Sequence, residues 1–430
     1  MTLGESERGG QPAPLDESSL SYPGWTVVLA AFFGVMVSFA AIVPYTFSLF
    51  LEPLHAAFGW KREGISLAFG ITAMTIAVCS PGIGHLLDKF APRRIILPAI
   101  VLFSLGLASL SLLTPSLLHF YAVYLLLGIV GNATAQLAYS RTVSTWFAGR
   151  RGLAFALMLT GSGVGSILLP ILAHHMIVTH GWRSAYLALG AAALLGFPLT
   201  ALLVRERPSY RRGAASVASG MSFAQAMRSP VIRVLFSSVL LYSVSANGII
   251  AHLSAILTGY GVASGAAAAA LSAMGAAGIL GRLVTGYLLD RFFGPKVSFV
   301  LLLMVCGAVW MLAYAHTPAA GITSAAVLGF GLGSEADVTP YLLTRYCGLK
   351  SFSMLYGCSW TAYAIGAAMG PVIVGKAFDS WGGYAPGLVE LLALPCLVAA
   401  GLTLLLPRYS DAFTPSTQAA ALLSPSALAE

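Results

Sequence analysis

Arg282 is the residue whose type and position most demand a chemical explanation. It lies midway through the apolar run Gly278-Ile-Leu-Gly-Arg282-Leu-Val-Thr-Gly286, and an arginine at bilayer depth is costly unless it faces a partner or a wet cavity. Its planar fork suits a carboxylate, and its charge persists at neutral pH. The chemistry it offers is reversible capture of an organic anion. The competing reading is structural: Arg282 stands one turn from a loop and could belong to a gate network with Asp290 or the end of the fifth apolar run.

Other polar residues fall at helical spacing. Asn132, Gln136 and Tyr139 recur at i, i+4 and i+7, a polar stripe that either lines a cavity or bonds neighbouring helices. Ser243 and Asn247 share a face in another run, and both readings stand there too. His252 is expected to be a helix-packing histidine rather than a proton relay. Glu335 and Asp337 point about 200° apart on a helix, so at most one faces a cavity. Asp337, Tyr341 and Arg345 share a face at i, i+4 and i+8, which predicts a ladder serving gating or helix packing. Glu335 is then the candidate for proton coupling, with a neutral acid bonded to the next helix as the alternative. Arg141, near the end of its run, reads as a further gate residue.

The elements that must position these residues are membrane spans. The chain is 58% hydrophobic and 9% charged, too apolar to solvate a globular surface. Twelve apolar runs are long enough to cross a bilayer: 25 to 51, 64 to 84, 95 to 113, 119 to 144, 152 to 177, 184 to 204, 231 to 258, 265 to 288, 297 to 315, 321 to 345, 354 to 377 and 386 to 406. They are continuous rather than alternating, which excludes a barrel. The expected fold is an all-α polytopic membrane protein of two six-helix bundles, 22 to 204 and 231 to 407. A cytoplasmic linker loop, 205 to 230, joins them, and disordered tails cover 1 to 21 and 408 to 430.

Lys89, Arg93, Arg94, Arg150, Arg151, Arg205, Arg207, Arg211, Arg212, Arg228, Arg291, Lys296, Lys350 and Arg408 fall in loops of one side, against Lys61, Arg62 and Arg183 on the other. That asymmetry places both termini in the cytoplasm, and it accounts for the net charge of +8 without a nucleic-acid partner. The first span is too long for a signal peptide and lacks a small-residue cleavage site. A cell membrane, as in a bacterial inner membrane, is the simplest placement. The five cysteines are scattered without CxxC spacing, so no metal site is indicated. Gly161-Ser-Gly163-Val-Gly165 lies inside a span, with neither a preceding strand nor a following Lys-Ser/Thr, and is not a phosphate loop. No ATP site, cofactor or catalytic residue is expected, and a functional monomer suffices.

Two copies of one pattern sit 202 residues apart, Gly84-His-Leu-Leu-Asp88-Lys89-Phe90 and Gly286-Tyr-Leu-Leu-Asp290-Arg291-Phe292. Each stands where an apolar run gives way to a basic loop. The first, continued by Ala-Pro-Arg93-Arg94, resembles the loop between helices two and three of the major facilitator superfamily, and the second lies where that family repeats it. The resemblance implies two bundles related by an axis along the membrane normal, a midplane cavity and rocking between two open states. Asp88 and Asp290 can meet helix N-termini, so with Arg93, Arg94 and Arg291 they read as gate residues.

Pro44-Tyr-Thr-Phe-Ser-Leu-Phe50, Trp146-Phe-Ala-Gly-Arg150-Arg151-Gly152 and Gly331-Leu-Gly-Ser-Glu335-Ala-Asp337 are similar to the monocarboxylate porters and oxalate:formate antiporters. By that resemblance Arg282 matches the helix-eight arginine that binds the substrate carboxylate. Animal proton-coupled porters carry an acid four residues before that arginine and a lysine after the helix-one proline; Gly278 and Tyr45 stand in those places here. The oxalate antiporters place a second cation in helix eleven, where this chain has Tyr363. One cavity cation fits a monocarboxylate better than a dianion. Arg282 would bind the carboxylate, and Tyr45, Asn132, Gln136, Tyr139, Asn247 and Tyr363 would shape the pocket. The alternative is efflux of amphipathic drugs or secondary metabolites, for which Trp360 and 22 phenylalanines allow a greasy cavity.

Overall fold

Lipid offers no partner to an unpaired backbone group, so uninterrupted apolar runs of this length fold as helices. In a computed structural model, which describes residues 17–19, 21–205, 220–381 and 391–409, they do so. The N-terminal half holds α1 (Gly24–Met36), α2 (Phe39–Thr46), α3 (Leu51–Phe58), α4 (Arg62–Lys89), α5 (Pro92–Ser109), α6 (Leu117–Thr134), α7 (Gln136–Trp146), α8 (Arg151–Leu194) and α9 (Gly196–Leu203). A short α10 (Phe223–Arg228) precedes α11 (Pro230–Gly259), α12 (Ser264–Arg291), α13 (Gly294–Ala313), α14 (Pro318–Cys347), α15 (Phe352–Trp381) and α16 (Ala393–Leu404) of the second half.

Nine helical stretches among the described residues are long and apolar enough to cross a membrane. One of them, Arg151–Leu203, contains two spans, because Gly181 at φ +83° breaks α8 with a backbone conformation that suits glycine. Counting that stretch twice and adding α14 and α16 accounts for the twelve expected runs.

The first and fourth spans are not the single helices expected. Between α1 and α2 the backbone opens at Ser38, whose hydroxyl donates to Val35 O at 2.8 Å. Between α6 and α7 it opens at Ala135 (φ −97°, ψ −168°). The expected tails and linker are also partly tied down. Glu17 accepts the Ala148, Gly149 and Arg150 N–H groups at 2.9 to 3.0 Å, just ahead of α8. Met221 N–H donates to Cys347 O at 2.8 Å, and Ser222 caps α10. Tyr409 accepts the Gly294 N–H at 2.9 Å.

Three buried apolar clusters show how the halves meet. One is confined to the N-terminal half, with Phe50, Phe103, Phe120 and Leu189, and another to the C-terminal half, with Ile249, Leu253, Val309 and Leu312. The third spans both, joining Leu87, Ile96, Phe147 and Phe155 to Leu289, Leu342, Phe352 and Leu355 at the end that carries the basic loops. The broadest apolar contact between the halves is therefore at the basic end, with further polar ties deeper, such as Thr361 Oγ1 to Ala77 O.

Glycines set the closest helix contacts. A Cβ at Gly281 of α12 would lie 2.1 Å from Phe330 O of α14, and one at Gly333 would lie 2.1 Å from Gly278 O. Gly275, on the same α12, has nothing within 4 Å of that position. Gly281→Ala should therefore destabilise by about 2 kcal/mol, overpacking outweighing helix propensity, whereas Gly275→Ala should be neutral or stabilising by up to ~1 kcal/mol. Melting of the two variants in detergent checks the opposite signs.

Candidate functional site

A cavity of about 330 Å³ lies between the halves, past the basic-end weld. α2 contributes Phe39, Pro44 and Tyr45, α4 Ile76, α6 Asn132, α7 Gln136 and α8 Ser162. From the other half come Tyr242 of α11, Arg282 of α12, Thr339 of α14, and Tyr356, Ser359, Trp360 and Tyr363 of α15. Tyr45, 53% exposed, marks the open rim. Among the described lining residues the one charge is Arg282. A guanidinium set in an aromatic and amide-lined hollow can orient one anionic group while the rest of a ligand lies against rings.

Arg282 itself bridges the halves. One terminal nitrogen donates to Leu159 O at 2.6 Å and to Ser162 Oγ at 2.9 Å, both on α8. The geometry thus joins both expected roles, since the side chain lines the cavity and also ties α12 to α8. Tyr45, Asn132, Gln136 and Tyr363 lie in the same wall. Asn132 also donates to Ser80 Oγ of α4, so it braces helices as well.

Two expected pocket residues, Tyr139 and Asn247, are absent from the described lining. Tyr139 is fully buried, its hydroxyl 2.8 Å from Thr200 Oγ1, and packs over Gly34. The break at Ala135 removes it from the stripe, because helical spacing from Asn132 no longer holds across that residue. Asn247 is absent from the described lining but hydrogen-bonds the side chain of Tyr363, which lines it; its amide also donates to Ser243 O at 3.0 Å and Ser243 Oγ at 3.1 Å on its own helix. Ser243 in turn donates to Tyr363 O at 2.6 Å, so this pair fastens α11 to α15. His252 stands 3.3 Å from Pro371 O, a packing contact between the same helices.

Several lining residues were not singled out from sequence. Ser162 was hidden inside a glycine motif. Tyr356 is another: it stands one turn before Trp360 and two before Tyr363 on α15, so the helical spacing of those two expected cavity residues points to it.

At the basic end the two repeated carboxylates make equivalent contacts across the halves. Asp88 accepts the Ser353 and Met354 N–H groups at 3.0 and 2.9 Å, at the start of α15. Asp290 accepts those of Gly152 and Leu153 at 2.7 and 2.9 Å, at the start of α8. Each carboxylate thus meets the positive end of a helix dipole in the other half. Gly84 and Gly286 permit the approach, since a Cβ would lie 2.2 Å from Ser353 O and 2.6 Å from Gly152 O respectively. Arg141 lies 3.7 Å from Asp88 and donates to Leu349 O, another link between halves. Arg93, Arg94 and Arg291 are exposed, the last with its guanidinium 4.3 Å from the Tyr287 ring centre.

The ladder expected along α14 does not form. Arg345 stacks 4.4 Å over the Tyr409 ring, and Tyr341 belongs to the basic-end core. Asp337 is bonded to neither: it is fully buried, and neither carboxylate oxygen has a hydrogen-bond partner. Helical spacing placed these residues on one face, but Tyr409, from outside the helix, captures the arginine. The Glu335 side chain lies outside the described residues.

With this geometry in view, known proteins align over most of the chain. A transporter of the MFS type from Escherichia coli (strain K12), YhjX, is 25% identical over 77% of this chain and 84% of its own length. Monocarboxylate transporter 11 of Homo sapiens is 30% identical, covering 84% of this chain and 78% of that one. Among solved structures, the MFS proton:xylose symporter XylE superposes with a TM-score of 0.77 at 13% identity, over 94% of this chain and 99% of that one. The family model described as Major Facilitator Superfamily matches residues 25–371, running through both halves and every cavity residue named above, and the chain belongs to that superfamily.

Proposed function

We propose that this membrane transporter carries small organic monoanions, monocarboxylates foremost, by alternating access as a proton symporter or anion exchanger. The observation that supports the reading is Arg282, the one charge among the described lining residues of a cavity between two separable halves. A single guanidinium matches a single carboxylate. The rings of Tyr242, Tyr356, Trp360 and Tyr363 suit an apolar body behind that carboxylate. The name of the human relative, a monocarboxylate transporter, points the same way. The basic loops put the welded end in the cytoplasm, so the cavity in this state faces outward. The aromatic wall also favours a second reading, export of amphipathic compounds.

Counterflow in proteoliposomes tests the proposal without assuming a driving ion. Vesicles preloaded with unlabelled formate, lactate, pyruvate, oxalate or phenylacetate are given the same labelled acid outside. Transient accumulation of a monocarboxylate, with oxalate giving less, is the expected result. Absence of any carboxylate signal, with efflux of an uncharged or cationic amphiphile in its place, would sink the anion reading.

A further inference from the structure

Asp337 is 0% exposed, and both of its carboxylate oxygens lack a hydrogen-bond partner. A bare carboxylate taken out of water without a donor costs several kcal/mol, far more than a neutral carboxyl. Something must neutralise it. The candidates are a proton and the nearest cation.

Glycine packing identifies that cation. α12 and α14 run in the same direction with their backbones in contact: Met274 meets Gly329, and Gly278 meets Gly333. One turn further along each helix stand Arg282 and Asp337, which places them at one depth on adjacent helices. Arg282 is the charged group that acts electrostatically on Asp337, and Tyr356 of α15 shares that field. On α14 itself Tyr341 and Arg345 follow one and two turns later. From α8, α11 and α13, Arg151, Arg233 and Lys296 belong to the first turns at the basic end.

We propose that Asp337 carries the coupling proton, which makes the protein a proton–monocarboxylate symporter whose proton site stands on the helix beside its anion site. The inference rests on the reading of Arg282 as that anion site. In the state described, Arg282 donates across the halves to Leu159 O and Ser162 Oγ, and Asp337 is neutral with a proton taken from the water of the cavity. The substrate carboxylate then binds the guanidinium. Opening of the basic end breaks the bonds of Arg282 to α8, because they join the two halves. Arg282 turns to Asp337, the carboxyl releases its proton to water on the basic side, and the anion loses its cation and leaves. One proton and one monoanion cross together.

The test uses the full chain in proteoliposomes with a trapped pH dye, and as probe whichever of formate, lactate, pyruvate or phenylacetate gives the largest counterflow. Wild type should take up about one proton per anion and, under a one-unit pH gradient, accumulate the probe about tenfold; Asp337→Asn should take up no protons and accumulate nothing above equality. Wild-type counterflow without proton uptake, or pH-driven accumulation retained in Asp337→Asn, overturns the inference. If Asp337→Asn loses counterflow as well, Asp337→Glu decides: a shifted pH for half-maximal transport supports the proton site, and an unshifted profile refutes it. Absence of wild-type counterflow with every carboxylate overturns instead the anion site on which the inference rests.

Discussion

Arg282→Ala is expected to weaken monocarboxylate binding by about 100-fold or more, equivalent to ~3 kcal/mol, in a protein that still folds. The loss has two parts. The substrate carboxylate enters a cavity with no other described cation in its wall, so its charge would be desolvated without compensation. The variant also loses the bonds from Arg282 to Leu159 O and Ser162 Oγ, which loosens the tie between α12 and α8. Two further substitutions separate these parts. Arg282→Gln can still donate to the α8 carbonyl but brings no charge; Arg282→Lys keeps the charge but not the fork. Anion binding predicts that Gln fails as badly as Ala and that Lys recovers roughly a tenth of wild-type affinity. A purely gating role predicts the reverse order. The concentration dependence of counterflow reads the affinities, and Gln outperforming Lys would remove Arg282 from the substrate site.

Much of this architecture is written coarsely in the chain because lipid enforces it. Apolar runs must be helices, and a charge such as Arg282 inside one must have a reason. Asp88 and Asp290 were legible for a different cause, since a duplicated motif at corresponding loop ends has a duplicated partner, the start of a helix in the opposite half. What escaped depends on events that no periodicity carries. A single extended residue, Ala135, turns Tyr139 away from the cavity. Asn247 donates to Ser243 one turn back on its own helix and reaches the pocket through the Tyr363 side chain. The neighbourhood of Asp337 depends on which glycine of α12 meets which glycine of α14, a pairing that exists only after the helices pack. The glycines are visible in sequence, but their register is not.

The second large effect belongs to the gate. Asp88→Asn combined with Asp290→Asn should shift the balance between states by about 4 kcal/mol, or roughly 1,000-fold, away from closure at the basic end. Each carboxylate accepts two backbone N–H groups at the start of a helix in the other half, and such bonds to a charged acceptor contribute about 2 kcal/mol beyond their neutral counterparts. Asparagine keeps the shape but turns an acceptor-only group into one that must also place an NH₂ against N–H donors. The sign follows from where the bonds lie: they exist only while the basic end is closed, so their loss penalises that state alone. The two sites touch different helix termini, α15 and α8, and their effects should add. Spin labels at the exposed positions Arg93 and Lys350, in a background lacking the native cysteines, report the distance across that end. Wild type should give a short separation, each single variant a mixture, and the double variant a predominantly long one. A double variant that keeps the short distance would mean that the apolar weld of Leu87, Phe155, Leu289 and Phe352 holds the halves together, with the carboxylates contributing little.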